Sequence, residues 1–204
     1  EAPNGDGINP SSCKNVLIEY NHFETGDDAV VLKSGLNEDG LRINIPTKNV
    51  VVRNYKAVDV QTGSGGIVFG SETSGGIENV YVHDAYFEGC DRGIRFKSER
   101  GRGNSIENIY IHDIQMKDLD NSAINFNAYY HEDARGEAPL FKNINIRDIK
   151  IDGVPTAIIM NGLPEKWLED FTFRNIQVKN AVEGARIYRV KNLTLENVEI
   201  NSEE

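Results

Sequence analysis

Lys14-Asn15-Val16-Leu17-Ile18 is the segment on which the fold turns, because the chain keeps returning to its pattern. It recurs as Lys48-Asn49-Val50-Val51-Val52, Glu78-Asn79-Val80-Tyr81-Val82 and Glu107-Asn108-Ile109-Tyr110-Ile111. Later copies are Lys142-Asn143-Ile144-Asn145-Ile146, Glu169-Asp170-Phe171-Thr172-Phe173 and Lys191-Asn192-Leu193-Thr194-Leu195. The Asn (or Asp170) positions are 34, 30, 29, 35, 27 and 22 residues apart. Periods of that size indicate a solenoid. Each unit alternates apolar and polar residues at period two and is rich in Val, Ile, Phe and Tyr, which is the pattern of short strands. The L-x-x-L-x-L pattern of leucine-rich repeats is missing, and ankyrin or tetratricopeptide repeats need helices this sequence does not offer. The expected fold is therefore all-β: a right-handed, single-stranded parallel β-helix of about seven coils, with residues 1–204 forming one domain. Stacked coils place equivalent residues ~4.8 Å apart. The Asn column is expected to form an internal amide ladder at a turn, since stacked amides satisfy one another.

Composition narrows the partners. The 204 residues carry a formal net charge of -10, which disfavours nucleic acid and anionic membranes. An acidic substrate would have to meet locally basic residues. No apolar run is long enough to span a bilayer. No signal peptide is visible, and the chain opens inside a motif, so it reads as the C-terminal part of a longer β-helix. Uncapped coil edges invite self-association. Cys13 and Cys90 are too few for a disulfide framework or a zinc site and read as unpaired packing residues. No metal or cofactor is expected. Gly63-Ser64-Gly65-Gly66 is discounted as a phosphate loop because no helix follows it.

The strand closing each coil carries the chemistry. Gly26-Asp27-Asp28 leads into Ala29-Val30-Val31-Leu32-Lys33-Ser34, and the same slot later reads Gly65-Gly66-Ile67-Val68-Phe69-Gly70-Ser71 and Arg92-Gly93-Ile94-Arg95-Phe96-Lys97-Ser98. Val30/Leu32, Ile67/Phe69, Ile94/Phe96, Ile124/Phe126 and Ile158/Met160 share one parity and should face the core. The other parity holds Ala29, Gly66, Gly93, Ala123, Ala157 and Ala185, expected as the small floor of an outward groove. Beside it run Asp27-Ser64-Asp91-Asn121, Val31-Val68-Arg95-Asn125 and Lys33-Gly70-Lys97-Asn127. Asn4-Gly5-Asp6-Gly7-Ile8 fits the preceding coil and sets Asp6 beside Asp28. Adjacent carboxylates resist ionising together, so one of them is suited to acid chemistry. A groove suits an extended polymer better than a compact cofactor. The plainer alternative is a solvated charged face, which the small-residue column and the stacking of like positions disfavour.

On these residues the chain resembles glycoside hydrolase family 28, the polygalacturonases and their pectin-degrading relatives. The family's Asn-Thr-Asp, Gly-Asp-Asp and Arg-Ile-Lys motifs appear as Asn4-Gly5-Asp6, Gly26-Asp27-Asp28 and Arg95-Phe96-Lys97. The insertion Gly35-Leu36-Asn37-Glu38-Asp39-Gly40 and the run Gly70-Ser71-Glu72 look most like bacterial exo-acting members. The resemblance implies hydrolysis with inversion at the anomeric carbon. It makes Asp27 the general acid, and Asp6 and Asp28 the groups that position and deprotonate water. Inverting enzymes hold acid and base ~6.5-9.5 Å apart, a gap neighbouring coils could supply. The resemblance also implies that Arg95 and Lys97 hold the substrate carboxylate, that Asn4 and Ser64 lie in the substrate site, and that Tyr129 or Tyr130 completes it. It further implies a pectic partner and a secreted or periplasmic location. Where the family usually has Gly-His-Gly, this chain reads Gly63-Ser64-Gly65. A serine carries no titratable proton near neutrality, which moves weight towards rhamnogalacturonan or substituted pectin. His22, His83, His112 and His131 offer no obvious substitute. A non-catalytic glycan-binding or assembly module is the alternative from another class.

Overall fold

The computed structural model describes residues 3–60 and 63–202. The long strands β1 (Lys14–Glu19), β4 (Thr47–Val58), β6 (Ile77–Glu88), β8 (Ser105–Lys117), β10 (Leu140–Asn161), β11 (Leu168–Tyr188) and β12 (Val190–Ser202) each begin with one copy of the repeat. Each pairs in parallel with the next, in the register Lys14↔Lys48↔Glu78↔Glu107↔Lys142↔Glu169↔Lys191. A second parallel stack closes the coils: β3 (Val30–Leu32), β5 (Gly65–Gly70), β7 (Arg92–Lys97) and β9 (Ser122–Asn127), joined to the later part of β10. The result is a parallel β-solenoid of about six turns. The two-residue β2 (His22–Phe23) pairs with β4.

Asn recurs because the chain must bend there. Asn15, Asn49, Asn79, Asn108, Asn143, Asp170 and Asn192 all have φ between 50° and 60°, a left-handed conformation that Asn and Asp tolerate better than other L-residues. The amides do stack: Asn49 Nδ2 donates to Asn15 Oδ1 at 3.0 Å, Asn79 to Asn49 at 3.3 Å and Asn143 to Asn108 at 2.6 Å. The ladder is not internal, however. Its members are exposed or half-buried, because the left-handed corner turns the side chain outward while flanking apolar residues point in.

The interior is a stack of aromatic and branched side chains. Phe96 lies between Phe69 and Phe126, with ring centroids 4.1 and 4.5 Å apart, and each such pair adds about 0.5–1.5 kcal/mol beyond its burial. Cys90 is buried as expected, but Cys13 is exposed, its thiol donating to the Ser11 carbonyl. The expected insertion contains a short helix, α1 (Asn37–Ile43), with Asn44 in the left-handed region (φ 51°) as its C-cap. Exposed apolar side chains include Leu17 and Tyr20 at one end and Val182 and Leu195 towards the other, with Leu36, Ile43, Tyr81 and Trp167 between them.

One expectation about the groove is overturned. Ala29, Gly66, Gly93, Ala123 and Ala157 do not floor an outward groove; they are buried against the core. A Cβ on Gly66 would meet the Phe87 ring at 2.7 Å, and one on Gly93 would meet Met116 Sδ at 2.4 Å. The column is small because large side chains from the neighbouring sheet fill the bend. Ala185 leaves the column altogether and pairs with Ile158. The outward surface is Val31 and Val68, followed along the same register by Arg95 and Asn125. Val31 and Val68 are fully buried without joining the core cluster.

Candidate active site

Two turns of the solenoid bring the aspartates together. The bridge Ile8↔Val30 sets the first turn beside β3, and the Gly7 amide donates to the Asp28 carbonyl at 2.9 Å. Asp27 and Asp28 precede β3 in a locally braced turn. The Thr25 hydroxyl donates to the Asp27 carbonyl at 2.5 Å, and the Asp28 amide donates to Asp27 Oδ1 at 2.8 Å. One carboxylate oxygen from each of Asp6, Asp27 and Asp28 lies within 4.8 Å of the others. They converge on one spot because they hold adjacent positions in the register of neighbouring turns.

Each carboxylate has different company. Asp28 is 1% exposed, and its Oδ2 accepts from Lys97 Nζ at 2.9 Å. Burial pushes its carboxyl above the usual range; the Lys97 ammonium opposes this, while the charge of Asp27 adds to it. Asp6 Oδ2 accepts from Asn9 Nδ2 at 2.8 Å and from Lys33 Nζ at 3.2 Å. Lys33 also faces Glu72 at 3.7 Å. Its burial works to lower its pKa, but the hydrogen bond and charge of Asp6, helped by Glu72, outweigh that and raise it. Asp27 has neutral donors only among the described residues: the Asp28 amide, and Ser64 Oγ at 3.4 Å. The three oxygens are near enough to surround a cation, yet two of them already face an ammonium group.

Next along the groove, Arg95 donates to the Gly63 carbonyl. Its guanidinium lies 5.8 Å from the Tyr130 ring centroid, and Lys97 Nζ lies 5.7 Å from it. Burial, with Arg92 beside it, draws the Arg95 pKa below its ordinary value. Arg95 Nε and Asp28 Oδ1 are both buried without a hydrogen-bond partner among the described residues. Such atoms cost about 1–3 kcal/mol each, and their burial at one place marks a surface suited to a polar ligand.

Other expected residues sit differently. Tyr129 lies away from the carboxylates, between Arg100 and Arg189 at 5.3 and 5.9 Å. Asn4 is exposed at a left-handed corner. Lys97, expected to hold a substrate carboxylate, is engaged by Asp28. Sequence reasoning missed Lys33 as a site residue, although it shares the column of Lys97. It also missed His131, whose Nδ1 lies 2.5 Å from Glu99 Oε2 and whose ring lies 4.5 Å from that of Tyr130. Glu99 in turn pairs with Arg102 at 2.9 Å, and Arg102 donates to the Ser71 carbonyl. Nothing in the spacing signals that link, because it joins loops rather than strands. His83 and His112 stack in register at 5.1 Å, on the other sheet.

Comparison with known proteins points to one family. The family model for glycosyl hydrolases family 28 matches residues 1–161. A probable polygalacturonase of Vitis vinifera is 32% identical over 91% of this chain and 38% of its own length. An endo-polygalacturonase of Pectobacterium parmentieri is 27% identical over 87% of the chain and 41% of its own. The crystal structure of an exopolygalacturonase from Thermotoga maritima superposes with a TM-score of 0.89 at 31% identity, covering 95% of this chain and 44% of that one. The chain thus spans less than half the length of these relatives. With the family model matching most of its length and the solenoid shared with a solved relative, the chain belongs to glycosyl hydrolases family 28.

Proposed function

We propose that this protein hydrolyses the glycosidic bonds of galacturonan in pectin, and that Asp6, Asp27 and Asp28 carry the reaction. The supporting observation is the convergence of three carboxylates beside two buried polar atoms, Asp28 Oδ1 and Arg95 Nε, that have no partner among the described residues. In this reading water held by Asp6 and Asp28 attacks the anomeric carbon. The bond from that carbon to the glycosidic oxygen breaks, Asp27 delivers its proton to the departing oxygen, and the aspartate pair takes the proton of the water. Arg95 meets the sugar carboxylate, a pairing suited to a guanidinium. Tyr130 supplies the ring edge or face beside it. The local cations answer the objection raised by the acidic net charge.

Three finer points belong to the same proposal. Inversion follows from the family resemblance, with the water lodged between Asp6 and Asp28 and the acid on Asp27. Action from a chain end rests on the insertion carrying α1 and on likeness to exo-acting proteins, against a relative named as endo-acting. Ser64 beside Asp27 keeps rhamnogalacturonan or substituted pectin as the second substrate reading. A pectic polymer places the protein outside the cytoplasm.

The test is reducing-end release from polygalacturonate and a rhamnogalacturonan panel. Monomer or dimer as the first product supports chain-end action. Proton NMR of the newly formed anomer separates inversion from retention. Glycan binding with no turnover on any substrate would sink the enzyme reading in favour of a binding module. A product with unsaturated-uronate absorbance would replace hydrolysis with elimination.

A further inference from the structure

Lys33 is the one cation at the carboxylate cluster that the motif resemblance leaves without a role. Its column explains how it gets there. Lys33, Gly70 and Lys97 occupy the same register position in successive coils. Gly70 puts no side chain between the two lysines, and a Cβ there would strike the Lys97 carbonyl oxygen at 2.0 Å. The two ammonium groups therefore share one side of the cluster, each meeting a different aspartate: Lys97 on Asp28 at 2.9 Å, Lys33 on Asp6 at 3.2 Å. The Lys33 side chain is 19% exposed, as is that of Asp6, so water screens the pair only partly.

We propose that Lys33 is a positioning residue for the hydrolysis proposed above: with Asn9 it fixes the Asp6 carboxylate in the orientation that holds and activates the attacking water. Asp27, which meets only neutral donors among the described residues, is left free to turn towards the glycosidic oxygen. The charges facing Asp6 are Lys33 on β3's outgoing end, Asp27 and Asp28 from the turn before β3, and, one step further out, Glu72 through Lys33 and Lys97 through Asp28. Three anions face two ammonium groups at the cluster itself, so one proton brings it close to neutrality. Two lysines from alternate coils, with Gly70 between them, do by fixed charge part of what a titrating histidine beside Asp27 would do, and Ser64 stands in that place. This inference rests on the reading of the cluster as a hydrolytic site.

The experiment compares Lys33→Gln and Lys33→Arg with the unaltered protein. For Lys33→Gln, kcat on oligogalacturonate should fall about 100-fold, the size of a misplaced catalytic group, with KM changed little. The acid limb of the kcat/KM profile should move to higher pH. Lys33→Arg, which keeps the charge, should recover most of kcat and the original limb. A second readout needs no substrate: the nitrogen-15 ammonium titration of Lys33, raised by the hydrogen bond and charge of Asp6, should move to lower pH in Asp6→Asn. If the unaltered protein turns over no pectic substrate, the hydrolytic reading fails, and the Lys33 titration still decides the contact. An unchanged Lys33 titration in Asp6→Asn overturns the proposal. So does a loss confined to KM, or equal losses in both variants with the limb unmoved, since those outcomes describe substrate binding or simple packing.

Discussion

The two sheets of this solenoid both carry rows of charge, and they treat them in opposite ways. On the sheet of long strands, His83 meets Asp84 and His112 meets Asp113, each at 2.6 Å, and Arg147 meets Asp148, its neighbour in sequence. These acids sit at left-handed corners beside an open groove of about 630 Å³ that Lys56, Gln115 and Lys150 also line. They are solvent-reached pairs between adjacent residues, worth little individually. On the sheet of short strands, Asp28 and Lys97 are 69 residues apart in sequence and almost fully buried, and Asp28 Oδ1 and Arg95 Nε beside them have no hydrogen-bond partner among the described residues. None of the buried side-chain atoms that lack a partner among the described residues lines that groove. What marks the site is buried charge brought together against its desolvation cost.

Breaking that contrast is the most direct test. Asp27→Asn should abolish pectic hydrolysis, a loss of at least about 100-fold, whereas Asp113→Asn on the long-strand sheet should leave the rate within about twofold; reducing-end assays on both variants check it. The next largest effect concerns stability. Lys97→Met leaves the Asp28 carboxylate buried without its cation and should cost about 3–5 kcal/mol. Arg147→Ala breaks an exposed pair and should cost less than about 1 kcal/mol. Urea denaturation midpoints would show whether the two differ.

Glycines sharpen the same comparison. Gly66→Ala drives a methyl into the Phe87 ring and should cost about 1–3 kcal/mol by overpacking. Gly184→Ala meets only Ile200 Cγ2 at 3.9 Å and should be nearly neutral, within about 0.5 kcal/mol. Thermal melts decide this pair. The smallest effect is in pH. The carboxyl of Asp28 is raised in the fold, so the folded state holds the Asp28 proton more tightly than the unfolded chain does. Its contribution is fully present below the ordinary value of 3.8 and is lost as pH rises through the folded value. The double variant Asp28→Asn/Lys97→Met should therefore gain stability relative to the parent as pH rises from the ordinary value of 3.8 through the raised value of the fold. A constant difference across that window would place the rise in pKa elsewhere.

Much of this was legible in the chain because a stacked solenoid turns sequence period into spatial register. The recurring Asn, with its tolerance of positive φ, located one corner of each coil; a second, at Asn54, Asp84, Asp113, Asp148 and Asn175, went unread. Alternation found the inward Ile/Phe columns, and column alignment alone brought Asp6, Asp27 and Asp28 to one place with Ser64 beside Asp27. Other features were hidden because they depend on what fills the space between sheets. The small Ala/Gly column faces inward because Phe87 and Met116 occupy the bend next to it, so strict alternation failed at that corner. The amide ladder lies outside because the left-handed corner swings its side chains away from the core. The partners of Lys33, Lys97 and His131 depend on reach across coils and loops, which register does not encode.

The sequence by itself determined the solenoid, its register and the meeting of three aspartates, since each follows from a repeat whose stacking distance the backbone hydrogen bonds set. Only the tertiary structure decided which way the small column faces, how close the carboxylates stand and which ammonium group each one meets. Those depend on packing and desolvation, where a few ångströms of side-chain reach determine whether a charge is paired, orphaned or free to react.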